Sequence, residues 1–484
     1  MNLRAVSLFL GRLVLVLAGA QAFPLLCCLA YAEGGGALAF AGSIVASAAL
    51  GALLVGAGRG HGGEIYRREG ILIVVLGWIF ASVLGALPYL LTGTLTLPVD
   101  ALFESASGFT TTGSTVLTDI AAQGRGILFW RSFSQWLGGM GIIVLFLALL
   151  PELGPGSRFL YKLEVPGPTA EALAPRIRDT AAVLWRLYLG MTVVQTLLLM
   201  ACGLGLYDAL THTFSTLSTG GFSPRDESVA AFAGTPLVSV VIIIFMVLAG
   251  ANFSLYFGIW RGRGWNLFRD PEFRLYTFIL LGSAVVIGLQ LLGRGTSPDL
   301  VEAGLAATFQ VVSITTTTGF ATVDFEQWPN FSRMLLVGLM FVGGCAGSTS
   351  GSMKVMRMVI GLKSAVREVR YIFSPNTQAA VFVGGNAVPD PIVRSVAGFF
   401  ILFLTSWGVG TILLTLDGHS LLTASTAAIA TLGNVGPGLE RVGPVENFAF
   451  FSSWSKVLMI LLMWVGRLEV YAIAALANPR FWRR

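Results

Sequence analysis

This chain of 484 residues is 55% hydrophobic and only 12% charged, which excludes an average soluble domain, since such domains carry about 25% charged residues. Its mean hydropathy is +0.78, and several apolar runs approach the ~20 residues that cross a bilayer, so we predict an integral membrane protein with many spans. The net charge of +6 does not indicate nucleic-acid binding, because the basic residues fall in short loops between apolar runs, as they do in cytoplasmic loops.

The first two apolar segments, at 6–31 and 37–57, are predicted to be two extra spans. Residues 30–32, Ala-Tyr-Ala, resemble a signal-peptidase site, but the apolar core from Leu13 onward exceeds the ~7–15 residues usual in a signal peptide. We therefore expect a retained span, with a cleaved signal as the alternative. Arg59, Arg67 and Arg68 place the next loop in the cytoplasm, which closes a first region of residues 1–69.

The rest of the chain is predicted to hold four similar units, at residues 70–180, 181–274, 275–390 and 391–484. Each unit has a span, a short apolar segment, a stretch rich in threonine and glycine, and a return span. The first spans are 71–91, 183–206, 275–292 and 392–416; the short segments are 98–109, one ending near Leu217, 299–313 and 420–430; the return spans are 127–150, 236–260, 333–362 and 454–478. Arginine-rich inside loops give all four units one orientation, so they are parallel repeats.

The threonine- and glycine-rich stretches recur roughly every 100 residues when Gly113, Gly220, Gly319 and Gly433 are aligned, as internal repeats do. Backbone that leaves the helix at membrane depth is tolerated where it lines a cavity or is buried in protein. Rings of backbone carbonyls replace the hydration shell of an alkali cation, and glycine permits the backbone angles that this requires. The predicted filter residues are Thr111, Thr112, Gly113, Thr219, Gly220, Thr317, Thr318, Gly319, Thr431, Leu432, Gly433 and Asn434.

The predicted fold is therefore an all-α polytopic membrane protein. It has four parallel span–pore-helix–filter–span repeats around a central ion pore, plus two extra N-terminal spans. The alternative is that a threonine- and glycine-rich stretch is an ordinary loop without a role in ion binding. Four copies at a near-equal period disfavour this alternative.

Six segments of this chain resemble the TrkH/KtrB family of bacterial potassium transporters. They are SGFTTTGST, HTFSTLSTGGFSPRD, ITTTTGFATVDF, IATLGNVGPG, GGCAGSTSGSMK and VGRLEVY, and the two extra leading spans resemble TrkH more than KtrB. The resemblance implies potassium uptake across the bacterial inner membrane by a multi-pass homodimer, with a cytosolic nucleotide-binding ring partner of the TrkA type. Membrane lipid is the remaining partner, and no nucleic acid is expected. The stretches share one glycine each in place of the TVGYG of potassium channels, so a Na⁺-coupled or Na⁺-permeable transporter stays the alternative.

Each unit also carries an acidic residue five to seven positions after its aligned glycine, on the predicted outer side: Asp119, Asp226, Asp324 and Glu440. A ring of carboxylates there would concentrate cations at an outer mouth. The alternative is a set of solvated loops without a role in transport.

Two interruptions in the return spans predict a gate below the filter. The first is the run Gly343, Gly344, Cys345, Ala346, Gly347, Ser348, Thr349, Ser350 and Gly351, in which a continuous helix is not expected. The second is Arg467, because an arginine at the bilayer centre costs roughly 2.5–3.5 kcal/mol and should face a cavity or a partner. The family has an intramembrane gate at the first position and places an arginine beneath the filter at the second. The alternatives are a close-packing helix face and an arginine paired with an acid of another unit, Glu469 being a poor partner because it is two residues away.

A membrane-embedded enzyme is the rival from another class, but no polar catalytic cluster is evident in a sizeable loop, so we predict no enzyme. Cysteines and histidines lack the spacing of metal ligands, so no cofactor of this chain is expected and K⁺ is the transported ion. The cysteines are Cys27, Cys28, Cys202 and Cys345, and the histidines are His61, His212 and His419.

Overall fold

The computed structural model describes residues 1–59, 66–141, 177–260, 265–296, 299–374 and 380–482, and its regular structure is almost entirely helical. Within these residues six helices are long and apolar enough to cross a membrane, or seven if one sharply bent pair is counted. A short antiparallel hairpin pairs Val381–Val383 with Asn386–Val388. The chain is therefore a multi-pass membrane protein of helical architecture, in agreement with the predicted class.

The leading spans form a tightly packed pair. Helices Leu3–Ala20 and Ala22–Ala30 make one 28-residue span candidate, followed by the helix Gly34–Ala57. A Cβ at Gly11 would lie 2.6 Å from the backbone nitrogen of Val55, so glycine lets the two backbones approach closely. Small residues at such contacts are the usual means of helix association in membranes.

Each predicted unit contains a long helix, a short helix and a return helix. The long helices are Arg67–Leu91, Ile177–Ala201, Pro271–Gly293 and Asp390–Leu414. The short helices are Pro98–Phe109, Leu206–Leu217, Leu300–Thr315 and Leu421–Leu432. The return helices are Arg125–Gly139, Pro236–Gly250 with Phe253–Trp260, Asn330–Val342 with Val355–Phe373, and Ser453–Arg467 with Tyr471–Ala477.

The sequence predicted a break in helical structure only at 343–351 of the third return span, with Arg467 inside a continuous helix, whereas helical structure also stops within the other three return spans. The first ends at Gly139 and the second at Gly250, and the fourth bends by 115° after Arg467. The prediction of continuous return spans is therefore wrong for these units, because the apolar pattern continues through each break and does not report it. Residues 142–150 of the first predicted return span, and the loop 151–176, lie outside the described residues.

The C-terminal halves of the four short helices and the residues that follow them are buried without interruption. All residues at 103–112, 211–220, 309–318 and 426–435 are buried, and many of them are serine or threonine. The leading helix Gly34–Ala57 and the long helices expose large apolar side chains, such as Val45, Leu53, Phe278 and Ile401. This inside-polar arrangement suits a lipid environment, in which polar side chains face the interior of the bundle.

Candidate functional site

Each short helix ends in the same backbone motif. The nitrogens of Thr112, Gly220, Thr318 and Val435 each donate a hydrogen bond of 2.8 Å to the carbonyl five residues earlier. The nitrogen of the preceding residue donates to the carbonyl three residues earlier in all four cases. These two bonds define a Schellman motif, which ends a helix through a left-handed residue. We call the segments that follow, at 110–113, 218–221, 316–319 and 433–436, the glycine loops.

The backbone angles of the four glycine loops agree position by position. The second residue of each loop has a φ between 53° and 58°: Thr111, Thr219, Thr317 and Asn434. The fourth residue has a φ between 75° and 108°: Gly113, Gly221, Gly319 and Gly436. Only glycine adopts the second set of angles at little cost, so the fourth position requires it.

This register corrects the alignment made from the sequence. The sequence paired Gly113 and Gly319 with Gly220 and Gly433, but their structural equivalents are Gly221 and Gly436. Thr431 and Leu432 belong to the last turn of the fourth short helix, and Gly433 is its C-terminal cap. The sequence alignment paired residues of the same type. Structural equivalence between the loops depends on which glycine has a positive φ, and φ cannot be read from a sequence.

The four glycine loops contact one another in a closed cycle. A Cβ at Gly113 would overlap the carbonyl oxygen of Gly220, one at Gly221 that of Thr318, one at Gly319 that of Val435, and one at Gly436 would lie 2.9 Å from that of Thr112. Each glycine thus packs against the carbonyl of the residue that precedes the next glycine. All four glycines must therefore lack a Cβ, because a Cβ would collide with the carbonyl of the neighbouring loop.

Threonine hydroxyls and one asparagine hold three of the four loops. The Thr110 and Thr112 hydroxyls are 2.8 Å apart, and those of Thr316 and Thr318 are 2.7 Å apart. Asn434 donates from Nδ2 to the Thr112 hydroxyl at 2.9 Å and to the Met463 carbonyl at 3.2 Å. The fourth loop is therefore tied both to the first loop and to its own return helix.

A cavity of about 430 Å³ lies over the glycine loops and is lined by Gly113, Gly221, Gly319 and Gly436. Asp119 and Asp226 also line it, together with Arg131 and Arg225. The Asp226 carboxylate accepts hydrogen bonds from the nitrogens of Ile120 at 2.7 Å and Ala121 at 3.1 Å, which joins the outer loops of two units. Two of the four predicted acids thus reach this cavity.

The other two predicted acids stabilise local structure outside the cavity lining. Asp324 accepts from the nitrogen of Glu326 at 3.1 Å and caps a short turn. Glu440 accepts hydrogen bonds from the hydroxyls of Ser420 and Thr423, and these bonds lower the pKa of its carboxyl. Glu440 therefore ties the outer loop of its unit to the start of the fourth short helix. Of the four predicted acids, Asp119 and Asp226 are therefore the two that line this cavity.

Sequence reasoning missed a buried ion pair behind the first glycine loop. Glu104, on the first short helix, binds Arg131 of the first return helix at 2.8 Å, and their side chains are 0% and 1% exposed. The same carboxylate accepts from the nitrogen of Val116 at 2.9 Å, and Arg131 donates to the Ser223 carbonyl at 3.0 Å. The sequence could have indicated this pair, because an acid and an arginine lie inside predicted apolar segments of the same unit. Charged residues at membrane depth need partners.

Polar residues at the position of Glu104 recur in the next two units. His212 and Gln310 stand nine residues before Gly221 and Gly319, as Glu104 stands before Gly113. His212 lies 3.2 Å from the Ser223 hydroxyl and Gln310 donates to the Thr322 hydroxyl at 3.3 Å, so each anchors the chain that leaves its own loop. In the fourth unit the Thr426 hydroxyl serves this purpose by accepting from the nitrogen of Leu439 at 3.1 Å.

The glycine-rich interruption of the third return helix packs against two glycine-loop units. Residues 343–354, the connecting loop, are buried except for Gly347. The nitrogen of Gly351 donates to the Thr317 hydroxyl at 2.7 Å, and the Thr349 hydroxyl donates to the Leu217 carbonyl at 3.0 Å. The Glu272 carboxylate accepts from the nitrogen of Ala346, within the loop, at 2.7 Å and from that of Met356, in the first turn of the helix that follows, at 2.9 Å. The loop thus has a defined, hydrogen-bonded position.

Arg467 reaches the connecting loop and the first glycine loop together. Its guanidinium donates to the carbonyls of Thr349 at 3.0 Å and Gly139 at 2.7 Å, and lies 3.4 Å from the Thr111 hydroxyl. Arg467 is the last residue of a helix, whereas the sequence placed it in mid-helix. Glu469 binds Arg357 at 2.6 Å, so the acid near Arg467 in the chain links the fourth unit to the helix after the connecting loop.

Residues 37–484 match the family model for TrkH, described as a cation transport protein. The chain belongs to the TrkH family. The Trk system potassium uptake protein TrkH of Salmonella typhimurium is 39% identical over 486 residues, which cover 100% of both chains. The protein of the same name from Halomonas elongata is 39% identical over 487 residues, again with 100% of both chains covered. The crystal structure of the potassium transporter TrkH from Vibrio parahaemolyticus has a TM-score of 0.90 at 35% identity, with 100% of both chains covered.

These comparisons confirm the family resemblance that the sequence motifs indicated. The match of whole TrkH-family chains over their full length includes the leading helices as well as the glycine loops. The family names describe transport proteins, which agrees with the expectation that this chain is not an enzyme.

We expect that breaking the Glu104–Arg131 pair strongly lowers the stability of this TrkH-family chain. Arg131→Met leaves an uncompensated carboxylate in a buried site, so we expect a loss of roughly 3–5 kcal/mol in folding free energy, seen as a lower melting temperature in detergent. Arg225→Met is the matched control, since the Arg225–Asp208 pair is 50% and 19% exposed and should contribute only about 0–1 kcal/mol. The double variant Glu104→Leu/Arg131→Met should recover most of the loss; equal melting of Arg131→Met and wild type would contradict the prediction.

Proposed function

We propose that this protein takes up K⁺ through a central pore whose filter is made by the four glycine loops. The observation that carries the proposal is the closed cycle of contacts from Gly113 through Gly221, Gly319 and Gly436. A cycle of four equivalent backbone segments, each at the end of a short buried helix, surrounds an axis. The relatives at 39% identity carry the name of potassium uptake proteins, which supports K⁺ as the cargo.

The loop geometry suits an alkali cation for two reasons. Alternation of left-handed and other residues along a loop turns successive carbonyls to the same side, as a ring of oxygens replacing a hydration shell requires. The C-terminal ends of all four short helices meet the loops, and each end carries partial negative charge that favours a nearby cation. The four units, with the residue ranges derived from the sequence, are then the repeats of one channel-like pore.

In this proposal the outer cavity is the entrance of the pore. Asp119, Asp226 and Glu446 line it and supply its negative charge. Asp324 and Glu440 stabilise the loops around it. Arg131 also lines the cavity, but it is neutralised by Glu104, so the field at the entrance depends mainly on the exposed acids.

The connecting loop and Arg467 are the proposed gate beneath the filter. The supporting observation is that Arg467 donates to Thr349 of that loop and also approaches Thr111 of the first glycine loop. A fixed positive charge on a narrow path raises the barrier to any cation. The loop adds a steric block, and its glycines allow it to move at small backbone cost.

We further propose the assembly that the family resemblance implied. The protein acts as a homodimer in the bacterial inner membrane, with a cytosolic nucleotide-binding ring of the TrkA type as regulatory partner. The relatives are named as parts of a Trk system, which supports a regulatory partner without identifying it. K⁺ is the cargo, and the chain uses no bound cofactor.

Ion flux in proteoliposomes tests the function directly. The purified protein should carry K⁺ and Rb⁺ down their gradients and carry Na⁺ more slowly, because the filter carbonyls replace the hydration shell of the larger ions. Empty liposomes provide the background. Equal rates for Na⁺ and K⁺, or K⁺ flux that depends on Na⁺, would favour the Na⁺-permeable or Na⁺-coupled alternative.

The corrected loop register gives a paired test of the filter. Gly436→Ser places a Cβ where φ is 108° and where the Thr112 carbonyl lies 2.9 Å away, so we expect at least a roughly tenfold fall in the K⁺/Na⁺ permeability ratio. Gly433→Ser is the comparison variant, in which φ is the difference. Its Cβ would also lie 2.9 Å from a carbonyl, that of Ile429 in its own helix, but the φ of Gly433 is −80°, which serine adopts without strain, as Ser218 does at −74° in the second loop. The K⁺/Na⁺ permeability ratio should change little in Gly433→Ser. A larger fall in Gly433→Ser than in Gly436→Ser would instead favour Gly433 as the equivalent of Gly113, as the sequence alignment had it.

Removal of the proposed electrostatic barrier should increase flux. Arg467→Gln keeps hydrogen-bond donors for the carbonyls of Thr349 and Gly139 but removes the charge, and Arg467→Ala removes both. We expect higher K⁺ flux per purified molecule from each. Arg333→Gln, which breaks an outer pair with Glu326 at 2.7 Å, is the control for a lost arginine and should leave flux unchanged. Unchanged or lower flux from monodisperse Arg467→Gln protein would support an assembly role instead.

A further inference from the structure

Gln135 of the first return helix is built into the second glycine loop. Its side chain is completely buried, its Nε2 donates to the Gly220 carbonyl at 2.5 Å, and its Oε1 accepts from the nitrogen of Phe222 at 3.0 Å. One carboxamide therefore bonds the loop on both sides of Gly221. Such a residue at the end of an apolar helix costs free energy unless both its donor and its acceptor are satisfied, as they are here.

The same carboxamide occupies the space of a side chain that the second loop lacks. Gly220 stands where the other loops have Thr112, Thr318 and Val435. A Cβ at Gly220 would overlap the amide carbon of Gln135. The glycine at this position is therefore required by Gln135 and not by its own backbone angle, since Gly220 is not among the residues with positive φ.

The second loop also lacks the hydroxyl pair that stiffens two of the others. Thr110 bonds Thr112, and Thr316 bonds Thr318, whereas Ser218 donates to the Ser215 carbonyl. Two successive glycines have the largest conformational freedom of the four loops. The contacts of Gln135 supply the constraint that side chains of the loop itself supply in the first and third units.

We propose that Gln135 is a positioning residue for ion selectivity, which sets the orientation of the Gly220 carbonyl within the ring of four. The inference rests on the proposed function, because it concerns the filter that the glycine loops form. Selectivity depends on the number and position of the carbonyls that face the ion, so a single mobile carbonyl weakens discrimination more than it weakens conduction. Gln135 touches the loop and not the ion.

The test compares K⁺/Na⁺ permeability ratios in proteoliposomes. Gln135→Met keeps the volume but removes both hydrogen bonds, and Gln135→Glu accepts from Phe222 but cannot donate to Gly220. Each should lower the ratio by roughly fivefold to tenfold, because both variants lose the hydrogen bond that orients the Gly220 carbonyl, while K⁺ flux per molecule falls less. Ser134→Ala changes the neighbouring buried residue, whose hydroxyl donates to the Arg131 carbonyl, and should keep the wild-type ratio.

A second variant separates positioning from simple loss of packing. Gln135→Ala/Gly220→Thr removes the carboxamide and restores to the second loop the residue present in the first and third, so the ratio should return toward that of wild type. Gly220→Thr alone should fold poorly because of the overlap. If wild type conducts K⁺ selectively while Gln135→Met, Gln135→Glu and the double variant all keep its ratio, the role of Gln135 is wrong and the proposed function stands. Wild-type protein without K⁺ flux would overturn both.

Discussion

The contact between a glycine and a carbonyl, made four times in a closed cycle, is the constraint on which the other features depend. Gly113, Gly221, Gly319 and Gly436 each lack the Cβ that would collide with the next loop. Because each contact involves two units, the loops reach their positions only when all four units have packed. The buried short helices, the Schellman endings and the polar residues nine positions earlier all hold these loops in register.

The interior of this protein is held mainly by polar contacts, because burial of apolar surface gives little driving force between helices in lipid. Glu104 and Arg131 join the first short helix to its return helix, and Arg131 extends the link to Ser223 of the second unit. Glu272 binds the connecting loop at Ala346 and the helix that follows it at Met356. Each of these groups is fully buried or nearly so. Arg131 has partners in two units, whereas the partners of Glu104 and of Glu272 each come from a single unit.

The four units share a backbone plan but differ in how each loop is held. The first and third loops are held by threonine pairs, the fourth by Asn434, and the second by Gln135 from another element. Below the loops the difference is larger, since the third unit contributes the connecting loop and the fourth contributes Arg467, which meet at Thr349. A single chain with four non-identical units can assign these tasks separately, which an assembly of four identical subunits cannot.

The sequence alone determined the membrane class, the family and the short helices, because apolar runs and threonine–glycine motifs are local signals. The predicted segment 98–109 coincides with the helix Pro98–Phe109, and the break at Gly343 was visible as a run of glycines. Tertiary structure decided the rest. Gly220 and Gly221 are adjacent in the chain, and only the contact with the Thr318 carbonyl and the positive φ distinguish the second as the equivalent of Gly113. The breaks at Gly139 and Arg467 likewise involve a contact between units, since Arg467 donates to the Gly139 carbonyl. Glu440 binds hydroxyls of its own unit that lie 17 and 20 residues away, and no local pattern records either kind of contact.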